Sequence, residues 1–179
     1  MLRKTIKNIA LLDLQNFTAE ALRGIKKIES CAMLLVPKNA SDEWKNAYAK
    51  ITIRNVASII EVSYSKYSVL NGMVTLNDKN VSDDCLYIVN GIVILETVEK
   101  IPDLCVNGLL LKRKKSRYEM TRMNGRSVEV DDNVVIKPYP NTIEIDGDTV
   151  RSFDYNTLVA AGNNVDIVDD VTEQMLSDK

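Results

Sequence analysis

The sequence contains no histidine. This absence excludes Ser-His-Asp and Cys-His nucleophilic sites, zinc sites with histidine ligands and imidazole acid–base catalysis. A cysteine nucleophile would have no imidazole to activate it. Composition alone therefore removes several enzyme classes, and we expect a protein that is not an enzyme.

Cysteines and long apolar runs are also scarce. The three cysteines, Cys31, Cys85 and Cys105, are odd in number and widely spaced among aliphatic residues, which is typical of buried thiols in a reducing compartment. The apolar stretches at residues 86–89 and 92–95 are separated by Asn90 and Gly91, whereas a membrane span needs about 20 residues. Lys7, Asn8 and Asp13 likewise interrupt any signal-peptide core. We expect a cytoplasmic protein with no membrane contact.

Phosphate-binding loops and calcium loops are missing as well. No G-x-x-x-x-G-K-[ST], G-x-G-x-x-G or EF-hand pattern occurs, so we expect no cofactor and no metal. Paired acids at turns usually accept hydrogen bonds from backbone N–H groups, and this chain has several such groups: Asp83-Asp84, Asp131-Asp132, Asp146/Asp148 and Asp169-Asp170. The alternative is a small-molecule-binding protein or carboxylate-based enzyme with a site near residues 131–148.

Length and charge set the outer limits of the prediction. The 179 residues are 45% hydrophobic and 27% charged, which is typical of one globular domain spanning residues 1–179. The net charge of −2 does not favour nucleic acid as a partner.

A repeated apolar segment is the most informative feature of the first third. The segments IKNIALLD, IESCAMLL and IRNVASII begin at Ile6, Ile28 and Ile53, and their near-equal spacing is typical of repeat architectures. Their Ile, Val and Leu content predicts strands. Residues 16–25 and 41–51 have helical spacing, and Ser41 is a predicted N-cap. Strands separated by helices predict parallel pairing, so the fold class is an α/β repeat with helices in this third and β-dominated coils after it.

Asn-Gly pairs recur after residue 62. They stand at Asn71, Asn90, Asn107 and Asn124, so the interval from each pair to the next is nearly constant. One interpretation is a series of hairpins, because a type I′ turn favours Asn-Gly. The other, which the matching apolar positions favour, aligns these asparagines with Asn8, Ser30 and Asn55 as successive rungs of stacked strands. In that register the glycines serve close packing.

The last part of the chain is less regular. Residues 128–153 alternate as strands do, and Asp146-Gly147 favours a hairpin. Residues 169–179 predict a short C-terminal helix that caps the open end of the repeat. Together these features predict a single right-handed solenoid with parallel strands.

The repeated strand with a nearby asparagine resembles the leucine-rich-repeat class over residues 6–111. The family pattern is L-x-x-L-x-L-x-x-N-x-L, in which asparagine follows a leucine by three residues, whereas in IVNGIVIL Asn90 follows Ile88 by two. The resemblance implies a curved sheet that faces a protein partner, and no residue is carried over as functional. The β-solenoid rhythm is also similar to that of the polymer-forming bactofilins.

Charge distribution gives the remaining candidates. The densest basic run holds Lys112, Arg113, Lys114, Lys115 and Arg117, and it is either a partner-binding patch or a solvated loop. Residues 1–50 carry 9 basic and 5 acidic side chains, and residues 151–179 carry 2 basic and 6 acidic ones. This asymmetry favours head-to-tail association. We therefore predict a non-catalytic protein-interaction or self-assembling scaffold module, whose partner is a protein or a second copy.

Overall fold

A computed structural model describes residues 3–63, 66–96, 103–115 and 122–179. The chain divides into two compact units, Met1–Ser65 and Lys66–Lys179, and each is described by itself. Strands dominate both units and pair in parallel, with a few short helices between them. Within the described ranges, no helix has the length and apolar character that a membrane crossing requires.

The first unit is a parallel sheet with strand order β1-β2-β3. Its elements are β1 (Lys4–Asp13), α1 (Ala19–Arg23), β2 (Ile25–Pro37), α2 (Asp42–Tyr48) and β3 (Thr52–Val62). The register places Ile6 beside Ile28 and Ile28 beside Ile53, so the three aligned segments are adjacent strands. The predicted repeat and its parallel pairing are confirmed here.

Side-chain caps fix where the two helices begin. The Ser41 hydroxyl accepts a hydrogen bond from the Trp44 N–H at 3.3 Å, as predicted, and Thr18 accepts one from the Ala21 N–H at 3.1 Å. The cap at Thr18 makes α1 shorter than the spacing indicated. The Trp44 indole N–H donates to the Phe17 carbonyl at 3.0 Å, which ties α2 to the loop before α1.

Each strand of this sheet bends at the same rung. Asn8, Ser30 and Asn55 have φ angles of 59°, 54° and 51°, and they occupy equivalent positions between the paired residues on either side. Asparagine tolerates this left-handed conformation better than most residues, whereas β-branched residues do not. The asparagines at this rung therefore have a conformational purpose, which is to turn the strand.

Ser30 is the exception at this rung, and it supplies a test. We expect Ser30→Asn to raise the free energy of unfolding by about 0.5–1 kcal/mol, because asparagine adopts positive φ at lower cost. Ser30→Val, which places a β-branched residue at the same φ of 54°, should lower it. Urea unfolding followed by circular dichroism measures both. Equal stability of the two variants would contradict the assigned bend.

The second unit begins with a four-stranded parallel sheet of order β4-β5-β6-β7. These strands are β4 (Lys66–Leu76), β5 (Cys85–Leu95), β6 (Asp103–Arg113) and β7 (Arg122–Val130). Asn71, Asn90, Asn107 and Asn124 stand side by side in register, and each following glycine does the same. The Asn-Gly pairs are therefore rungs of stacked strands, and the hairpin interpretation is wrong for them.

Glycine is required at these rungs because neighbouring backbones come very close. A Cβ atom on Gly108 would lie 2.0 Å from the Gly91 carbonyl oxygen, and one on Gly91 would lie 2.2 Å from that of Gly72. The asparagine amides form a ladder beside them. The Asn90 side-chain N–H donates to Asn71 Oδ1 at 3.0 Å, and that of Asn107 donates to Asn90 Oδ1 at 2.8 Å.

The C-terminal part contains a second repeat that the sequence pattern did not reveal. It comprises β8 (Val135–Tyr139), β9 (Ile143–Ile145), α3 (Gly147–Arg151), β10 (Thr157–Ala161), β11 (Val165–Ile167) and α4 (Glu173–Ser177). β10 pairs with β8 and β11 with β9, both in parallel and both with the same offset along the chain. Strand, bend, strand and helix thus occur twice.

Two predictions for this region have different outcomes. The hairpin expected at Asp146-Gly147 is wrong, because Asp146 is the N-cap of α3 and accepts a hydrogen bond from the Thr149 N–H at 2.7 Å. The predicted C-terminal helix is present as α4, although it begins only at Glu173. Met175 on α4 and Val171 just before it pack against a buried cluster that includes Val150 and Phe153.

Hydrogen bonding among the described strands forms four separate parallel sheets. Strands of successive coils thus lie side by side within each sheet, which is compatible with a β-solenoid-like fold. One right-handed solenoid that runs through the whole chain, and one domain over residues 1–179, both stay predictions. The expectation of β-dominated coils after the first third needs one correction, because the unpredicted helix α3 lies in the coil before the last one.

Candidate interaction surfaces

The described part of the basic run, residues 112–115, lies at the end of β6, and acidic groups of the next coil face it. Lys112 Nζ lies 2.9 Å from Glu129 Oε1, Lys114 Nζ lies 2.5 Å from Asp131 Oδ1, and Lys115 Nζ lies 2.9 Å from Asp132 Oδ2. Arg113 uses one guanidinium nitrogen to donate to the carbonyls of Asp131 and Val134, at 2.9 and 2.7 Å. Arg117 lies outside the described residues.

These contacts give the basic run a structural purpose. The Lys112 ammonium donates to Glu129 and lowers the pKa of that carboxyl, while the hydrogen bond to Asp131 raises the pKa of Lys114. Such exposed pairs contribute little stability, but they favour one register between neighbouring coils. Binding of a partner by Lys112, Arg113, Lys114, Lys115 and Arg117 stays a prediction, and any partner would compete with Glu129, Asp131 and Asp132.

The paired acids are used in turns and caps. Asp84 accepts hydrogen bonds from Ser82 and from Lys66, the latter at 2.9 Å, and these contacts lower its pKa. Asp170 accepts from the Gly147 N–H at 3.1 Å, and Asp148 pairs with Arg151. Across the described ranges, no three cysteine or carboxylate side chains come together as metal ligands would.

Four carboxyl groups have pKa values below their usual range, whereas a general acid needs a raised pKa. The pKa values of Glu29, Asp84, Glu129 and Asp146 are all lowered, chiefly by side-chain hydrogen bonds. A carboxyl that donates a proton near neutral pH needs a raised pKa. The lowered pKa of Asp146 does not favour a general-acid role for that carboxyl, and the alternative of a site near residues 131–148 stays a prediction.

Asp146 provides a pH test of its cap. Hydrogen bonds from the Thr149 hydroxyl and N–H lower its pKa below the usual 3.8. The carboxylate therefore contributes its full stability above the usual pKa of 3.8. That contribution is lost as the pH falls from 3.8 through the lower pKa of the folded state. Asp146→Asn keeps a cap but does not titrate. We expect the parent's advantage over this variant, measured by urea unfolding, to shrink from pH 7 to pH 3. A constant difference would contradict the assignment.

All three cysteines are free thiols. Cys31 and Cys105 are buried, and Cys85 is half-buried. Burial raises the pKa of Cys85 and Cys105, which keeps both protonated at neutral pH. The Cys31 thiol donates to the Met33 carbonyl at 2.9 Å. These are properties of structural cysteines.

A cavity of about 520 Å³ opens at the first coil, which we define as β1 and α1 (residues 4–24). Its apolar lining includes Ile6, Phe17, Ala21 and Ile25, and Lys4 and Glu20 stand among its polar groups. A helix over residues 16–25, as the sequence spacing predicts, would place Phe17, Ala21 and Ile25 on one face. They do share one surface, although Phe17 and Ile25 lie outside the helix.

The cavity exists because the apolar interior of the first coil is covered on one side only. Ile6 and Phe17 pack against the buried cluster of the first unit but remain partly exposed. Within the described part of the chain, β1 pairs with β2 alone, so its other edge has no partner strand. A layer of this kind offers both apolar contacts and backbone hydrogen-bonding groups to a partner.

A comparable surface lies on the last coil, which we define as β10, β11 and α4 (residues 157–177). Among the described strands, β10 pairs with β8 alone and β11 with β9 alone. Ile167 is 55% exposed and Leu176 is 44% exposed. Val159 and Met175 contact the buried cluster beneath them but remain partly exposed.

Comparison with protein-family models, with curated proteins and with solved structures finds no match to this chain. The resemblance to leucine-rich repeats and the similarity to bactofilins therefore depend on strand rhythm alone and stay predictions.

Proposed function

We propose that this protein is a non-catalytic scaffold module that binds other protein chains through the ends of its strand stacks, with a second copy as the favoured partner. The observation that carries the proposal is the pair of half-covered apolar layers at the first and last coils. Each layer carries several partly exposed apolar side chains, and among the described strands each has a strand edge without a partner beside it.

The interior of each stack supports a mechanical role. Backbones at the glycine rungs come so close that an added Cβ atom on Gly91 or Gly108 would overlap the neighbouring strand's carbonyl oxygen. Side-chain amides of Asn71, Asn90 and Asn107 bond along the stack, and Lys112, Lys114 and Lys115 pair with the next coil. These groups hold the stack together, as a scaffold requires.

The chemistry of the described side chains also favours binding over catalysis. The chain lacks histidine, and burial raises the pKa of two of the three thiols. Hydrogen bonds lower the pKa of four carboxyl groups, among them Asp146. A scaffold needs none of these groups to be reactive. Apolar layers bounded by charged residues are, by contrast, what protein–protein contact requires.

Mass and shape in solution test the proposal. Light scattering combined with small-angle X-ray scattering should show particles that grow with protein concentration, and that growth should weaken at high salt because charge contributes to the contact. A particle with the mass of one chain at every concentration, at both low and high salt, would contradict self-association.

A further inference from the structure

We propose that the last coil of one copy stacks on the first coil of a second copy and closes the cavity lined by Ile6, Phe17 and Ala21. This inference rests on the proposed function and specifies its contact. The two surfaces differ from each other, so the contact is heterologous and repeats from copy to copy, giving either a ring or a filament.

The first and last coils have the same order of elements, with strand first and a short helix after it. The first coil consists of a bent strand followed by a short helix, and its offset to the next coil is that from Ile6 to Ile28. The last coil consists of two short strands followed by a short helix, and its offset from the preceding coil, from Ile143 to Val165, is the same. The first coil and the penultimate coil therefore have the same length, and the last coil lies in register on the penultimate one, which gives the two apolar layers similar outlines.

Strand direction is also compatible. Every described strand pairing is parallel, and within the described ranges β1 on the first coil and β10 and β11 on the last coil each pair along one edge only. Addition of the last coil to β1 of another copy would continue a parallel sheet by main-chain hydrogen bonds. The Lys179 carbonyl already accepts from the Thr157 N–H at 3.1 Å, so new pairing begins beyond that residue.

Charge selects this orientation over the symmetric ones. The first coil presents exposed Lys4 and Lys7, with Arg3 just before it and Glu20 as an acidic neighbour. The exposed acids of the last coil are Asp166, Asp169, Asp170 and Glu173, and Asp178 follows just after it. Lys179 directs its ammonium to the Phe153 and Arg151 carbonyls. Two first coils or two last coils would bring like charges together, whereas a first and a last coil attract. Lysines on a strand edge also discourage unselective pairing.

Two blocking variants test the contact. Ala21→Arg places a long charged side chain in the cavity, and Ile167→Arg does so on the last coil. Val128→Arg is the matched control, because Val128 is a strand residue that is 43% exposed and lies on β7. All three should keep the parent's circular dichroism and urea midpoint, which separates loss of contact from loss of folding.

Each blocking variant alone should have the mass of one chain, with an apparent dissociation constant raised about 30-fold or more, the loss expected at the centre of an interface. A mixture of the two variants should form a 1:1 dimer, because one cavity and one last coil remain intact and the next contact is blocked at both ends. The control should assemble as the parent does.

The outcomes separate this inference from the function on which it rests. Assembly of the parent and of both blocking variants to the same extent would overturn the coil-to-coil contact and leave self-association standing. Loss of assembly in both variants without a dimer in the mixture would also overturn it. A parent with the mass of one chain throughout would overturn both proposals.

Discussion

Replacement of Gly108 with alanine is expected to lower the free energy of unfolding by about 3 kcal/mol or more. Two costs add at this position. The added Cβ would lie 2.0 Å from the Gly91 carbonyl oxygen, which belongs to the backbone of the next strand and cannot rotate away. The φ of 143° is also one that residues with a side chain rarely adopt.

Gly72→Ala is the matched control for Gly108→Ala. Gly72 occupies the same rung on β4 and has a positive φ of 83°, but a Cβ there meets no atom within 4 Å. The control should therefore lose only the cost of the backbone conformation, about 1–2 kcal/mol. Urea unfolding followed by circular dichroism compares the two. Equal losses would show that the glycine backbones are not in contact.

Replacement of Leu110 with alanine should cost about 2–5 kcal/mol of unfolding free energy. Leu110 is fully buried on β6, in a cluster that includes Val89, Val93 and Val106. Its side chain lies between neighbouring strands, so truncation removes apolar contacts and leaves a cavity that the closely stacked backbones cannot close. The same urea experiment measures this loss.

Val128→Ala is the control for the Leu110 variant. Val128 is 43% exposed on β7 and should contribute about 0.5 kcal/mol or less. A Leu110 variant as stable as the Val128 variant would contradict the placement of β6 in the interior of the second unit.

The positions of the rungs could be predicted because the backbone bend and the pairing between strands both leave a mark on the sequence there. Asn8, Ser30 and Asn55 mark a bend that needs positive φ, and the residues around them keep the apolar pattern of a strand. The Asn-Gly pairs recur at nearly constant spacing, which hairpins do not require but stacked coils do. The location of the bend was less predictable, since positive φ falls on the asparagine or serine in the first unit and on the glycine in the second.

The last two coils were missed for identifiable physical reasons. Asp-Gly favours a hairpin turn, yet the same aspartate is a good N-cap, and at Asp146 the cap prevails. A helix as short as α3 does not show helical periodicity in the sequence, whereas α4 was predicted. The remaining signal was the match between IEI at Ile143 and VDI at Val165, whose offset equals that between Ile6 and Ile28.

The candidate surfaces were only partly predictable. The composition of residues 112–115 was plain, but their pairing with Glu129, Asp131 and Asp132 depends on the register of β6 with β7 and the turn after it. The cavity lies at the first coil, where no further coil of the described chain packs on the apolar layer. Its presence depends on where the stack ends, which the local sequence does not indicate.

Nuclear Overhauser contacts test most directly whether the Asn-Gly rungs stack in register. They are measured at high salt, where contact between copies is expected to be weakest. We expect contacts between the α-protons of Gly91 and the backbone of Gly108, together with contacts between the side-chain amides of Asn90 and Asn107. A hairpin at Asn90-Gly91 would instead bring Val89 opposite Ile92. Contacts of that second kind, without the glycine and asparagine contacts, would contradict the stacked coils.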